Sequence, residues 1–139
     1  MRAIASLGGI GFLRPAPGTW GSLAVMPLAL FPEWVALVAA GVFTVAGFWA
    51  LTRLPETRTD PGWIVVDEAA GQSLALAAAG GWIGVVLAFV LFRAFDITKP
   101  GPVGWADRQK GAFGVMADDL IAGGMAAILL LALAWLGIT

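Results

Sequence analysis

The chain has 139 residues, of which 60% are apolar and 12% charged, and its mean hydropathy is +0.89. A soluble domain carries about 25% charged residues, so this composition describes one membrane-embedded domain, 1–139, with little room for a second. A net charge of −1 offers no basic face to nucleic acid, and the lack of Cys, His and Tyr excludes disulfides, thiolate nucleophiles, imidazole bases and zinc-thiolate centres. Chemistry is left to Asp, Glu, Lys, Arg, Ser, Thr, backbone groups or a metal ion.

The first eleven residues contain no sustained apolar run, so no secretory signal is expected. Residues 7–22 are rich in Gly and Pro and read as loop. Thr19 or Ser22 is placed to cap the helix that follows. That helix reaches about Leu30 and carries Pro27; at roughly 12 residues it falls short of the about 20 needed for a full span. It reads as a half-helix or a kinked element. Residues 33–54 form the clearest transmembrane helix, with Trp34 and Trp49 suited to the interfaces. A polar loop covers 53–63. The next helix begins near residue 64, carries Asp67 and Glu68 close to its start and Gly71 on roughly the same face, and breaks at Gly80-Gly81. Another runs from Trp82 to about Asp96 and is ended by Lys99-Pro100-Gly101-Pro102. After a loop to Gly111, a final helix spans about 113–136. Asp118 and Asp119 fall in its first two turns, and Gly123-Gly124 suits close helix contact. The expected fold is all-α: a polytopic integral membrane helix bundle with about four to five membrane segments, the first of them short or kinked.

Alternating the direction of successive segments puts Arg2, Arg14, Arg53, Arg58, Arg93, Lys99, Arg108 and Lys110 on one side. Of the acids, only Glu33 falls on the other. The positive-inside rule makes the crowded side cytoplasmic. The same path brings together residues 14–22, 67–72, 93–99 and 107–119.

Carboxylates near membrane depth are costly and mark sites that face protein or water. Asp67, Glu68, Asp96, Asp118 and Asp119 offer hard oxygen ligands of the kind Mg²⁺ prefers. Asp118 and Asp119 are about 100° apart on a helix, so one can face a metal while the other meets a base or a second metal. Arg93 and Asp96 share a helix face. Arg14, Arg93, Lys99, Arg108 and Lys110 are candidates for holding phosphate, as are backbone N–H groups around Gly18, Thr19, Gly21 and Ser22. The plainer alternatives are interfacial ion pairing for the acids and headgroup anchoring for the bases.

With these residues in view, the chain resembles the phosphatidylglycerophosphatase A family. The matching segments are FLRPAPGTWGSLAVMP at 12–27, VVDEAAGQ at 65–72 and FRAFDITKPGPVGWADRQKGAFGVMADDLIAG at 92–123, in the family's order. The last segment is the specific one. Ala112 departs from the pattern, which usually has a second Gly there, and its methyl is expected to shift the loop slightly. The resemblance implies a Mg²⁺-dependent phosphatase of the bacterial inner membrane that converts phosphatidylglycerophosphate to phosphatidylglycerol. Its implied catalytic residues are Asp96, Asp118 and Asp119, with Asp67 and Glu68 completing the metal ligands. Arg14, Thr19, Ser22, Arg93, Lys99, Asp107, Arg108 and Lys110 would meet phosphate and substrate. Water attack assisted by a carboxylate base is the expected mechanism; a covalent aspartyl-phosphate is the rival.

Two other classes compete. A small transporter or proton-pathway protein would use the carboxylates as a relay, but no charge continues the path through residues 125–139. A non-catalytic lipid-binding scaffold is the third.

Overall fold

The computed structural model describes all 139 residues and is helical throughout. Seven α-helices follow one another: α1 (Arg2–Ala5), α2 (Pro17–Val25), α3 (Glu33–Leu51), α4 (Val66–Leu76), α5 (Trp82–Thr98), α6 (Pro102–Asp107) and α7 (Gly111–Trp135). Short 3-10 turns lie at Ile10–Phe12, Met26–Leu30 and Pro55–Thr59. The second of these carries α2 onward. Pro27 has no N–H to donate there, which ends the regular α ladder.

Two helices are long and apolar enough to cross a membrane, α3 and α7. At 1.5 Å per residue they are about 28 and 37 Å long, against a hydrocarbon core of about 30 Å. The 11 residues of α4 and 9 of α2 make much shorter rods. Outward-facing Val38, Val42 and Val45 on α3, Val86 and Val90 on α5, and Ile128 and Leu131 on α7 give the bundle an apolar exterior. Such a surface suits lipid and is costly in water.

Packing fixes the direction of each helix. Ala36 at the start of α3 shares a core with Leu76 at the end of α4 and Ala79 just beyond it, while Gly47 near the end of α3 lies against Val66 and Met116. Thus α3 runs back along α4. α5 also returns: Val85 lines one cavity with Leu76, and Phe92 lies at Gly71. By contrast α4 and α7 run parallel and touch backbone to backbone. A Cβ on Gly123 would lie 2.8 Å from the Gly71 carbonyl carbon, and one on Gly71 would strike the Asp119 carbonyl. Only glycine at both positions allows this approach.

Three local expectations are corrected. α2 begins at Pro17, whose fixed φ and missing N–H suit a first helical position, and the preceding Ala16 offers no side-chain cap. Thr19 and Ser22 therefore lie inside the helix and cap nothing. The stretch before Gly111 is not all loop, because Pro102 starts α6 in the same way. Ala112 falls in the first turn of α7 and packs on the core formed by Leu51, Val115 and Met116. Its methyl has a place in the helix and displaces no loop.

Candidate active site

The parallel α4 and α7 each present acids at the same end. Asp67 and Glu68 stand in the first turn of α4 and Asp119 in the third turn of α7. One carboxylate oxygen from each lies within 4.8 Å of the others. The Gly71–Gly123 contact sets this spacing, since it brings the helix axes close one turn deeper.

Asp118 turns the other way. Its Oδ2 accepts a 2.6 Å hydrogen bond from Lys99 Nζ, and its Oδ1 accepts one of 2.8 Å from the Asp119 backbone N–H. Asp96, on the last turn of α5, is ion-paired with Arg93 one turn back and lies 3.5 Å from Lys99 Nζ. α6 adds Asp107, whose Oδ1 is 3.3 Å from Lys99 Nζ. Lys99 thus holds three carboxylates from three helices. It sits just beyond α5 with a left-handed backbone, φ 51°. Burial works against its charge, yet the Asp118 hydrogen bond and the surrounding acids outweigh that and hold its pKa above the ordinary lysine value.

Gly18 closes the site from α2. A Cβ there would lie 2.5 Å from Glu68 Oε1 and 3.2 Å from an Arg93 terminal nitrogen, so this glycine is where α2 meets the acids. Arg93 is therefore wedged among Gly18, Glu68 and Asp96.

Other candidates lie elsewhere. Arg14 is exposed and lines a cleft of about 650 Å³ between residues 11–17 and 61–63. Arg108 and Lys110 line a polar cleft of about 230 Å³ with Arg58, Asp60 and Asp107. Thr19 is half-buried on α2, and Ser22 is fully buried with no partner for its hydroxyl.

Asp60 was not singled out by its sequence. It follows the 3-10 turn at Pro55–Thr59, and Lys99, Asp107 and Asp96 are the charges it feels. Although the residue is exposed, partial desolvation raises its carboxyl above the usual carboxylate range, with Lys99 pulling the other way. An Asp before Pro in a loop is ordinary turn chemistry, so nothing distinguished it beforehand.

Asp67, Glu68 and Asp119 fit a hard divalent cation. None of the three is in an ion pair with a base, and Asp67 Oδ1 and Glu68 Oε2 are buried without a hydrogen-bond partner. Like charges packed this closely repel one another, and leaving them buried and uncompensated is costly. An all-oxygen set is also the donor chemistry that Mg²⁺ takes.

Comparison with known proteins adds to this geometry. Residues 3–134 match the family model described as Phosphatidylglycerophosphatase A. The chain belongs to the phosphatidylglycerophosphatase A family. A Haemophilus influenzae protein named phosphatidylglycerophosphatase A is 36% identical over 135 residues, covering 90% of this chain and 83% of its own. An Escherichia coli protein of the same name is 36% identical over 128 residues, covering 86% and 74%. A Bacteroides thetaiotaomicron protein named "Putative phosphatidylinositol-3-phosphatase" is 37% identical over 142 residues, covering 91% and 89%. No solved structure matches the chain. Family membership makes this chain a phosphatase, and the resemblance read from its three motif segments holds.

Proposed function

We propose that this chain removes the terminal phosphate of phosphatidylglycerophosphate, leaving phosphatidylglycerol, at the cytoplasmic face of a bacterial inner membrane. The observation that carries this reading is the gathering of Asp67, Glu68, Asp96, Asp118 and Asp119 with Arg93 and Lys99 at one end of an apolar bundle. A phospholipid phosphomonoester has the matching form, with acyl chains for the lipid-facing exterior and a dianionic head for the polar end. The other bases lie at that same end along the path of the chain, which favours the cytoplasmic side. Four to five membrane segments follow if α2, α4 and α5 enter the bilayer beside α3 and α7.

Asp67, Glu68 and Asp119 would hold Mg²⁺. A divalent ion there supplies positive charge against the phosphoryl oxygens and makes nearby water more acidic. The chain's own groups do the rest. Arg93 and Lys99 orient the phosphate, each already fixed by Asp96. Asp118 holds Lys99 in place. Water attacks phosphorus in line, its proton passes to a carboxylate, the bond from phosphorus to the glycerol oxygen breaks, and that oxygen takes up a proton from the protonated carboxylate or from solvent to leave as the alcohol. Asp118 and Asp119 are the candidate acceptors, and either one is the candidate nucleophile if an aspartyl-phosphate forms instead.

The test is phosphate release by purified protein from phosphatidylglycerophosphate, phosphatidylinositol 3-phosphate and glycerol 3-phosphate, each with and without Mg²⁺. Release from the first lipid that requires Mg²⁺ is the expected result. Faster release from the inositol lipid would shift the substrate toward that named for the Bacteroides relative. No release under any divalent cation would end the enzymatic reading. Labelled phosphate trapped on the protein excludes direct water attack.

A further inference from the structure

The cleft of about 650 Å³ beside Arg14 lies between the two loops that lead into α2 and α4. Phe12 and Trp63 line it, and their rings stack with centroids 5.5 Å apart. A Cβ on Gly11 would strike the Trp63 carbonyl, so the two loops meet backbone to backbone. Arg14 is the only charged residue that lines the cleft. It is in none of the molecule's ion pairs, which engage Arg2, Arg93 and Lys99. Its loop is stiff, because Pro15 and Pro17 each fix their own φ. Between them Ala16 holds a left-handed backbone, φ 55° and ψ 67°. That conformation is strained for a residue with a Cβ and is of the kind that gathers at binding and active sites.

The cleft adjoins the acids. Pro17 lines it and is followed directly by Gly18, which lies on Glu68 and Arg93. Consecutive Cα atoms are about 3.8 Å apart, so the Pro17 Cα is no more than about 8 Å from Glu68 Oε1. The two places differ in charge. At the acid cluster a dianionic phosphomonoester would meet Arg93, Lys99 and a cation together. A lone arginine matches a single negative charge, and its planar fork matches two oxygens of one phosphate. Aromatic walls beside it suit glycerol carbons and the first carbons of acyl chains at a membrane interface. The diester phosphate that joins diacylglycerol to a headgroup has this charge and these neighbours. In phosphatidylglycerophosphate one glycerol separates it from the terminal phosphate, a gap comparable to that from Pro17 to Glu68.

We propose that the Arg14 cleft binds the phosphodiester of the substrate lipid while the acid cluster holds its phosphomonoester. The chain then selects lipids that carry both phosphates over those, such as phosphatidic acid, that carry the monoester alone. The inference rests on the acid cluster being the hydrolytic site. It holds for phosphatidylglycerophosphate and for a phosphoinositide alike, since each has both phosphates.

The test compares wild type, Arg14→Gln and Arg14→Lys, purified in detergent, on phosphatidylglycerophosphate and on phosphatidic acid of the same acyl chains. Phosphatidic acid is read by its KM where it is turned over and by its inhibition constant where it only competes. A hydrogen bond to a charged group is worth about tenfold or more in affinity. Arg14→Gln is expected to raise the KM for phosphatidylglycerophosphate by about that factor, with a smaller change in kcat and a smaller change in affinity for phosphatidic acid. Arg14→Lys keeps the charge without the fork and should fall between the two. Melting should not change, because Arg14 is exposed and unpaired. An unchanged KM, or a loss confined to kcat, overturns the assignment. Equal weakening of both lipids also overturns it, since Arg14 would then act on the reacting phosphate or on the fold. Each of these results leaves the hydrolytic site standing. A wild type that releases phosphate from no lipid removes both.

Discussion

Lys99 Nζ lies 2.6 Å from Asp118 Oδ2 across 19 positions of sequence, tying the end of α5 to α7. The same ammonium reaches Asp96 and Asp107, so α5, α6 and α7 meet on one positive charge. Lys99→Met leaves three acids without that partner. We expect a loss of about 1–3 kcal/mol in stability, read as a lower melting temperature in detergent, and a loss of phosphate release. Adding Asp118→Asn should recover part of the stability and none of the activity; strictly additive losses would show that the contact is not energetically coupled.

The pH behaviour of this contact follows from its sign. The folded-state pKa of Lys99 is raised above 10.5, its ordinary value. Its contribution is therefore complete below that value and is lost as pH climbs through the folded-state value. Between pH 7 and 9 the stability difference between wild type and Lys99→Met should stay constant, and it should shrink only in strongly alkaline buffer. A difference that collapses near neutrality would assign the effect to another group.

Asp119 is in no ion pair with a base and shares its space with Asp67 and Glu68. Asp119→Asn should keep the helical fold and abolish Mg²⁺-dependent phosphate release, a drop of at least about 100-fold, more than is typical for a partner outside the ligand set. Asp96→Asn should behave alike, through loss of the groups that hold Arg93 and Lys99. Glu33→Gln, on an exposed residue at the other end of α3, is the control and should leave the rate unchanged. Near-normal rates for Asp119→Asn would remove it from the site.

Much of this arrangement was legible because helical period and chain direction are local properties. Asp67-Glu68 and Asp118-Asp119 lie near the starts of two helices that both run away from the same side, so their meeting follows from alternating directions alone. The divergence of Asp118 from Asp119 follows from the helical period in the same way. What was hidden depends on contacts across the fold. Nothing in PGTWGS says that Gly18 will lie on Glu68, since glycine near a helix start also reads as capping chemistry. Asp60 looked like a turn residue because its neighbourhood is supplied by α5 and α6. Pro102 did carry a signal, as a first-turn proline, but the six residues of α6 are too few for apolar periodicity to register.

Two glycines of the site should respond oppositely to an added methyl. At Gly71 the new Cβ strikes the Asp119 backbone and the Phe92 ring, and relieving these clashes means moving α4 away from α7 and α5. Gly71→Ala should cost about 1–3 kcal/mol or more and lower the melting temperature sharply. At Gly18 the obstacles are the ends of Glu68 and Arg93, which are flexible and can swing aside. Gly18→Ala should fold normally and lose about 10–100-fold in turnover, because the catalytic groups are displaced by roughly an ångström. Equal melting losses for the two variants would show that Gly18 is a packing residue and not part of the site.

The side of the membrane can be read without removing any native group, because the chain has no cysteine. Gln109 follows α6 at the polar end, while Glu33 begins α3 at the other. In intact cells, a membrane-impermeant maleimide reaching the periplasm should label Glu33→Cys and leave Gln109→Cys unmodified until the inner membrane is permeabilised. Both replaced residues lie outside the acid cluster, so phosphate release should persist in each variant and certify that the labelled protein is folded. Labelling of Gln109→Cys from outside would place the acids in the periplasm and reverse the orientation drawn from the arginines and lysines.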